Sequence, residues 1–234
     1  MILSVLLALS LYEQAVVRLL AEKFARTEYV LLDAREGREI ARNWPDAEEP
    51  IPTGSLTKPF LAAGGRDSEF ECKPGACWLP RGHGKLRMEE AIAQSCNSWF
   101  IQYAAGLSGA VRGLPAPPSL EPLTLIGVRP DWLIAPLALA RAYPAVVAHD
   151  TRVRGGMLAS ADHGTAQRMA MTALAKTGTA ACSHPGSGPG DGLVVALWPP
   201  EQPKYVLMVR VHGTTGAMAA RTAGELLRVV RDGR

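Results

Sequence analysis

The sequence predicts an α+β fold in which both chain ends form one antiparallel sheet and the middle of the chain forms an all-helical lobe. Three observations carry this. Two β-rich segments joined by a turn stand near the amino end, three more stand at the carboxyl end, and the middle is helical in composition with Pro and Gly breaks. The 234 residues, 47% apolar and 20% charged, are enough to bury the core of a single domain, taken as residues 12–234. This composition excludes a disordered, collagen-like or miniature disulfide-scaffold protein.

The apolar run 2–11 (ILSVLLALSL) is about half of the ~20 residues a helix needs to cross a bilayer. A signal segment or its remnant is the favoured reading of residues 1–11, although no Lys or Arg precedes the run and no clear small-residue cleavage site follows it. The alternative is the buried first turn of a helix. Leu11, Ala15, Val16, Leu19, Leu20 and Phe24 then repeat at helical spacing, so a surface helix is expected to about Ala25. Glu28–Asp33 reads as a strand, Ala34–Gly37 as a turn and Arg38–Arg42 as the return strand. After a Pro-rich, acidic loop (Trp44–Pro52), a short helix is expected over Ser55–Ala63, stopped by Gly64-Gly65.

Leu86–Leu107 has helical composition, Gly113–Pro118 is a connector, and Trp132–Val147 is an Ala-rich helix broken at Pro144. Ala173–Ala181, Gly192–Trp198 and Tyr205–Val211 are strand candidates separated by turn residues, including the Gly/Pro/Ser loop His184–Gly190. Ala217–Val230 is an amphipathic closing helix.

The 25 Lys and Arg residues against 22 Asp and Glu give a net charge of +3, scattered without a basic stripe, so nucleic acid is not an expected partner. Cys72 and Cys77 bracket Lys-Pro-Gly-Ala and are candidates for a small loop disulfide in an oxidising compartment; Cys96 and Cys182 look unpaired. The spacing Cys72-x4-Cys77-x5-His83 departs from compact zinc sites and lacks an evident fourth ligand. No metal or cofactor is therefore expected.

Three short motifs follow in order: Ser55-Leu-Thr-Lys58, Ser95-Cys-Asn97 and Lys176-Thr-Gly178-Thr179. Singly each is weak, since helix caps and strand ends use the same residues. Together, in this order, they match a serine acyl-transfer set. Residues three apart on a helix share a face, so Lys58 can reach the Ser55 hydroxyl and, with its charge disfavoured by burial, accept its proton. Pro59 is tolerated in a first helical turn, whose N–H groups lack intrahelical partners. The backbone N–H groups of Ser55 and Thr179 are candidates for an oxyanion hole. Lys176, with the Thr177 and Thr179 hydroxyls, suits a substrate carboxylate, and Gly178 allows close approach to the strand. Ser95 suits proton relay to the leaving group and Asn97 suits orientation of a peptide backbone.

With these motifs on the page, residues 27–230 resemble the transpeptidase domain of penicillin-binding proteins. The resemblance extends to Tyr29–Ala41, to Gly82-His-Gly84 followed by Ala91–Phe100, to Ala135–Tyr143, to Gly156-Met157, and to Gly164-Thr-Ala166 ahead of Ala175–Ala180. It implies a β-lactamase/transpeptidase-like fold and a Ser55 acyl-enzyme formed with the D-Ala-D-Ala end of a peptidoglycan stem peptide. Transfer to an amine or water would follow. It also implies β-lactam binding, other cell-wall synthesis proteins as partners and an extracytoplasmic location in a bacterium. Read this way, His83 and Tyr143 are scaffold residues.

Two departures bear on the expectation. Only 36 residues separate Lys58 from Ser95, so the helical lobe is expected to be abbreviated, and residue 175 is Ala where the family commonly has Gly. The unit therefore reads as a minimal transpeptidase. A serine β-lactamase is the first alternative, with Glu121 as the best-placed deacylating carboxylate; a non-catalytic penicillin-binding sensor or cell-wall scaffold is the second.

Overall fold

The computed structural model describes residues 10–107, 111–182 and 188–233. Residues 1–9, and with them nearly all of the apolar run, lie outside the described residues, as does most of the loop His184–Gly190. Helix α1 spans Leu11–Lys23 and starts from a capping box in which the Ser10 hydroxyl accepts from Glu13 N while the Glu13 carboxylate accepts from Ser10 N. Strands β1 (Glu28–Asp33) and β2 (Glu39–Arg42) form the expected hairpin. At the other end, β7 (Leu174–Ala180), β8 (Asp191–Trp198) and β9 (Tyr205–Val211) precede the closing helix (Gly216–Asp232).

The five strands make one antiparallel sheet in the order β2-β1-β9-β8-β7. The amino-terminal strand β1 pairs with the carboxyl-terminal β9, Leu31 opposite Leu207, which closes the sheet across the whole length of the chain. Successive residues of a strand point to opposite faces, and both faces here are apolar. Tyr29, Leu31, Val194, Ala196, Leu207 and Val209 belong to a core shared with Val16 and Leu20 of α1 and with Ala223, Leu226 and Leu227 of the closing helix. Val30, Leu32, Leu193, Val195, Leu197 and Met208 belong to a second core shared with the helical lobe. The edge strand β7 leaves one side open, and the turn that carries Ser55 lies along it.

Between the two parts of the sheet, a 3₁₀ turn (Gly54–Thr57) leads directly into α2 (Lys58–Ala62), so the helix expected over Ser55–Ala63 is two short pieces. A small hairpin follows, β4 (Phe70–Cys72) and β5 (Gly84–Leu86), which the sequence reading left out. The stretch Leu86–Leu107 is two helices, α3 (Met88–Ala93) and α4 (Asn97–Ala104), broken at Ser95, whose φ is +50°. Next come α5 (Pro122–Leu125), α6 (Pro136–His149) and α7 (Thr151–Asp162), while β3 (Ile51–Pro52) pairs with β6 (Leu133–Ile134) beside the lobe. Pro144 lies inside α6 without ending it.

Helix α7 escaped the sequence reading because Gly155-Gly156 resembles a break. The glycine instead permits close packing: a Cβ at Gly156 would stand 2.7 Å from Glu89 O on α3. The closing helix is α8, and its N-cap is Thr215, whose hydroxyl accepts from Met218 N.

Candidate active site

Ser55 projects from the 3₁₀ turn, and that turn is held from two sides. The buried Tyr143 hydroxyl of α6 donates to Leu56 O at 2.6 Å, and the Thr57 hydroxyl donates to Leu125 O of α5 at 2.7 Å. Gly127, at φ +71°, comes so close behind the turn that a Cβ there would stand 1.8 Å from Gly54 O. In front, the turn meets the edge strand: a Cβ at Gly178 would lie 3.2 Å from Ser55 N and 3.1 Å from Leu56 Cγ. The glycine of the third motif thus brings β7 against the serine.

Lys58 opens α2 with no exposed surface. Its ammonium group donates to Asn97 Oδ1 at 2.6 Å and to Ser95 O at 2.8 Å, with Ser95 Oγ at 3.4 Å and the Phe100 ring centroid at 5.4 Å. Burial away from water pushes its pKa down to about 7, against the opposing pull of Cys77 and Cys96. Lys176, also without exposed surface, donates to Ser95 Oγ at 2.8 Å and to Thr177 O at 2.7 Å. Burial, and then the neighbouring Lys58 charge, hold its pKa well below the usual lysine range. Ser95 therefore sits between two amines. Its left-handed backbone conformation, which costs a non-glycine residue about 1–3 kcal/mol, turns both its carbonyl and its hydroxyl toward them.

A cleft of about 490 Å³ runs over this array, lined among others by Ser55, Ser95, Asn97, Thr177, Gly178 and Thr179. The fold thus brings the residues of the three motifs together: Ser55, Ser95, Asn97, Thr177, Gly178 and Thr179 line the cleft, and Lys58 and Lys176 are bonded to Ser95 beneath it. Lys176, expected to face a ligand, is instead buried beneath the cleft and bound to Ser95, while Thr177 and Thr179 line the cleft itself. Lys58 likewise spends its donors on Ser95 and Asn97, and among the described residues Ser55 Oγ makes no hydrogen bond to it.

The structure adds residues to the site. The Thr177 hydroxyl donates to Thr165 Oγ1 at 2.7 Å, and Thr165 lines the cleft; its signal in the sequence is the Gly164-Thr-Ala166 segment ahead of the third motif. Trp78, 52% exposed, and Val128, 50% exposed, form apolar walls. Glu121 is elsewhere: it pairs with Arg129 in solvent, and no carboxylate among the described residues lines the cleft. The suggested Cys72–Cys77 disulfide is not formed. Both are free thiols, because Cys72 Sγ faces His83 Nδ1 at 3.5 Å and Cys77 Sγ faces Cys96 Sγ at 3.9 Å.

No family model matches the sequence, and no curated protein does. Solved structures match in fold. PBP2 of Pseudomonas aeruginosa, solved in complex with WCK 5153, is 17% identical over 94% of this chain and 76% of its own, with a TM-score of 0.72. Helicobacter pylori PBP2, solved in complex with MreC, is 15% identical over 94% of this chain and 62% of its own, with a TM-score of 0.73. The transpeptidase domain of Burkholderia pseudomallei penicillin-binding protein 3 is 16% identical over 95% of this chain and 92% of its own, at 0.68.

Proposed function

From a chain with the fold of penicillin-binding-protein transpeptidase domains, we propose a serine acyl transferase acting on the D-Ala-D-Ala end of peptidoglycan stem peptides. The observation that carries this reading is the buried array Lys58–Ser95–Lys176 beneath the cleft that Ser55 and Ser95 both line. Neither amine meets a carboxylate there, so each is favoured in the neutral form that base catalysis requires.

In this mechanism Ser55 Oγ attacks the carbonyl carbon of the penultimate residue and its proton passes to the neutral Lys58 amine. The oxyanion is held by the backbone N–H groups of Ser55 and Thr179, each such donor being worth about 10²–10³-fold in rate. Collapse of the tetrahedral intermediate breaks the peptide bond, and the leaving D-Ala amine takes a proton through Ser95 Oγ, which the lysines replenish. The ester on Ser55 is then attacked by an acceptor amine or by water. Asn97 Oδ1 is occupied by Lys58, which leaves its amide N–H group to orient the peptide, while Thr177 and Thr179 meet the terminal carboxylate. Penicillins would acylate the same serine.

Partners on this reading are the stem peptide, β-lactams and other cell-wall synthesis proteins, at an extracytoplasmic location. The MreC complex of the Helicobacter pylori protein supports the class of protein partner. No helix among the described residues is long and apolar enough to cross a membrane. The β-lactamase alternative loses support from the solvent position of Glu121. The sensor or scaffold alternative draws on one observation, the 36-residue interval between Lys58 and Ser95. Incubation with a fluorescent penicillin, followed by peptide mapping and a time course of release, separates the three. A stable adduct on Ser55 with turnover of D-Ala-D-Ala peptides is the expected result; rapid release indicates a β-lactamase, an adduct without peptide turnover a sensor, and no adduct a scaffold.

A further inference from the structure

Behind the second motif, four potential ligands converge from three segments of chain. Cys72 ends β4, Cys77 and His83 come from the loop that leads to β5, and Cys96 is the N-cap of α4. One donor atom from each lies within 4.8 Å of every other. Tetrahedral zinc, with bonds of about 2.3 Å to sulfur and about 2.0–2.1 Å to nitrogen, places two sulfurs about 3.8 Å apart and a sulfur and a nitrogen about 3.5 Å apart. The Cys77–Cys96 separation is 3.9 Å and the Cys72–His83 Nδ1 separation 3.5 Å.

The surroundings fit the same chemistry. Asn97 N donates to Cys77 Sγ at 3.3 Å and Trp99 N to Cys96 Sγ at 3.4 Å, as backbone N–H groups do around metal-bound thiolates. His83 Nε2 is buried and has no hydrogen-bond partner among the described residues, so the ring's polar contact is the one from Nδ1 to Cys72 Sγ. The fourth ligand that the Cys72, Cys77 and His83 spacing lacked is Cys96, brought in by the fold.

We propose that Cys72, Cys77, His83 and Cys96 form a closed structural Zn(II) site, and that its Cys96 ligand holds Ser95 and Asn97 in register with Lys58. Three thiolates and one imidazole select zinc over harder cations, and four protein ligands leave no open position for metal catalysis. Binding displaces the three thiol protons. The metal ties the β4–β5 loop to the junction of α3 and α4 where the lobe is short. The site stands independently of the acyl-transfer reading; its effect on Ser95 and Asn97 rests on that reading.

The full chain, purified under reducing conditions and reconstituted with zinc, is expected to hold one zinc per chain by elemental analysis. Cobalt replacement should give the intense visible bands of tetrahedral Co(II) with thiolate charge-transfer bands. Cys72→Ser, remote from the motif, should weaken zinc more than about 100-fold, beyond the loss seen for outer-shell changes, while Cys182→Ser changes nothing. Ser55→Ala should retain full metal content, which separates this site from the acylation chemistry. Absence of zinc after reconstitution, or an octahedral cobalt spectrum, would overturn the site. A penicillin labelling rate unchanged on zinc removal from a still-folded chain would overturn the positioning role, whereas a reversible loss restored by zinc supports it.

Discussion

A lysine with no exposed surface persists in a fold when its amine can shed its charge and find acceptors. Lys58 meets both conditions, with a pKa pushed down to about 7 and acceptors on Ser95 and Asn97. The protonated amine cannot take the Ser55 proton, and it deprotonates as pH rises through about 7. The acylation rate is therefore expected to rise about tenfold per pH unit below 7 and to level off above it, as a penicillin labelling profile would record. Ser55→Ala should abolish labelling while melting at the parent temperature, since Ser55 is only partly buried on a turn held by its neighbours. Tyr143→Phe removes one hydrogen bond to Leu56 O. A loss of about 1 kcal/mol in urea denaturation is expected, together with slower acylation because the turn carrying Ser55 loses a tether. At this scale the grouping was legible: Ser55, Lys58, Ser95 and Asn97 belong to motifs that the sequence shows in order, and the fold brings them to one cleft or against it. The burial of Lys176 was not, because a single sequence does not reveal which polar side chains are sealed beneath a cleft.

Elements position these residues by approaching more closely than side chains ordinarily allow. The segment after α5 passes behind the Ser55 turn at Gly127, and β7 passes in front at Gly178. Gly127→Ala forces a Cβ to within 1.8 Å of Gly54 O at a positive φ, so the turn must move. We expect a loss of about 1–3 kcal/mol, checked by denaturation, and a labelling rate reduced by more than the stability loss implies. The long apolar strands and the closing helix were read from the sequence to within a residue or two, since period-2 and helical patterns are local. Strands β3 to β6 were not, being two or three residues long and existing only through their partners. Helix α7 was missed for a related reason: its glycines look like a break until α3 is seen to fill the space beside them.

At the scale of the whole molecule, β1 lies between β2 and β9, so neither end of the chain can leave without opening both cores. Unfolding by urea should therefore be one transition, with circular dichroism, tryptophan fluorescence and loss of penicillin labelling at a common midpoint; separate midpoints for the lobe and sheet would contradict this. The order of motifs, the α+β class and the participation of both ends in one sheet were determined by the sequence, because they rest on local hydrophobic period and on residue types at short spacing. The tertiary structure alone decided that Cys96 meets Cys72, Cys77 and His83, that Lys176 is buried on Ser95, and that Thr165 joins Thr177. These contacts join residues from 12 to 81 positions apart, and the distances between them are set by how strands and helices pack, which spacing along the chain does not encode.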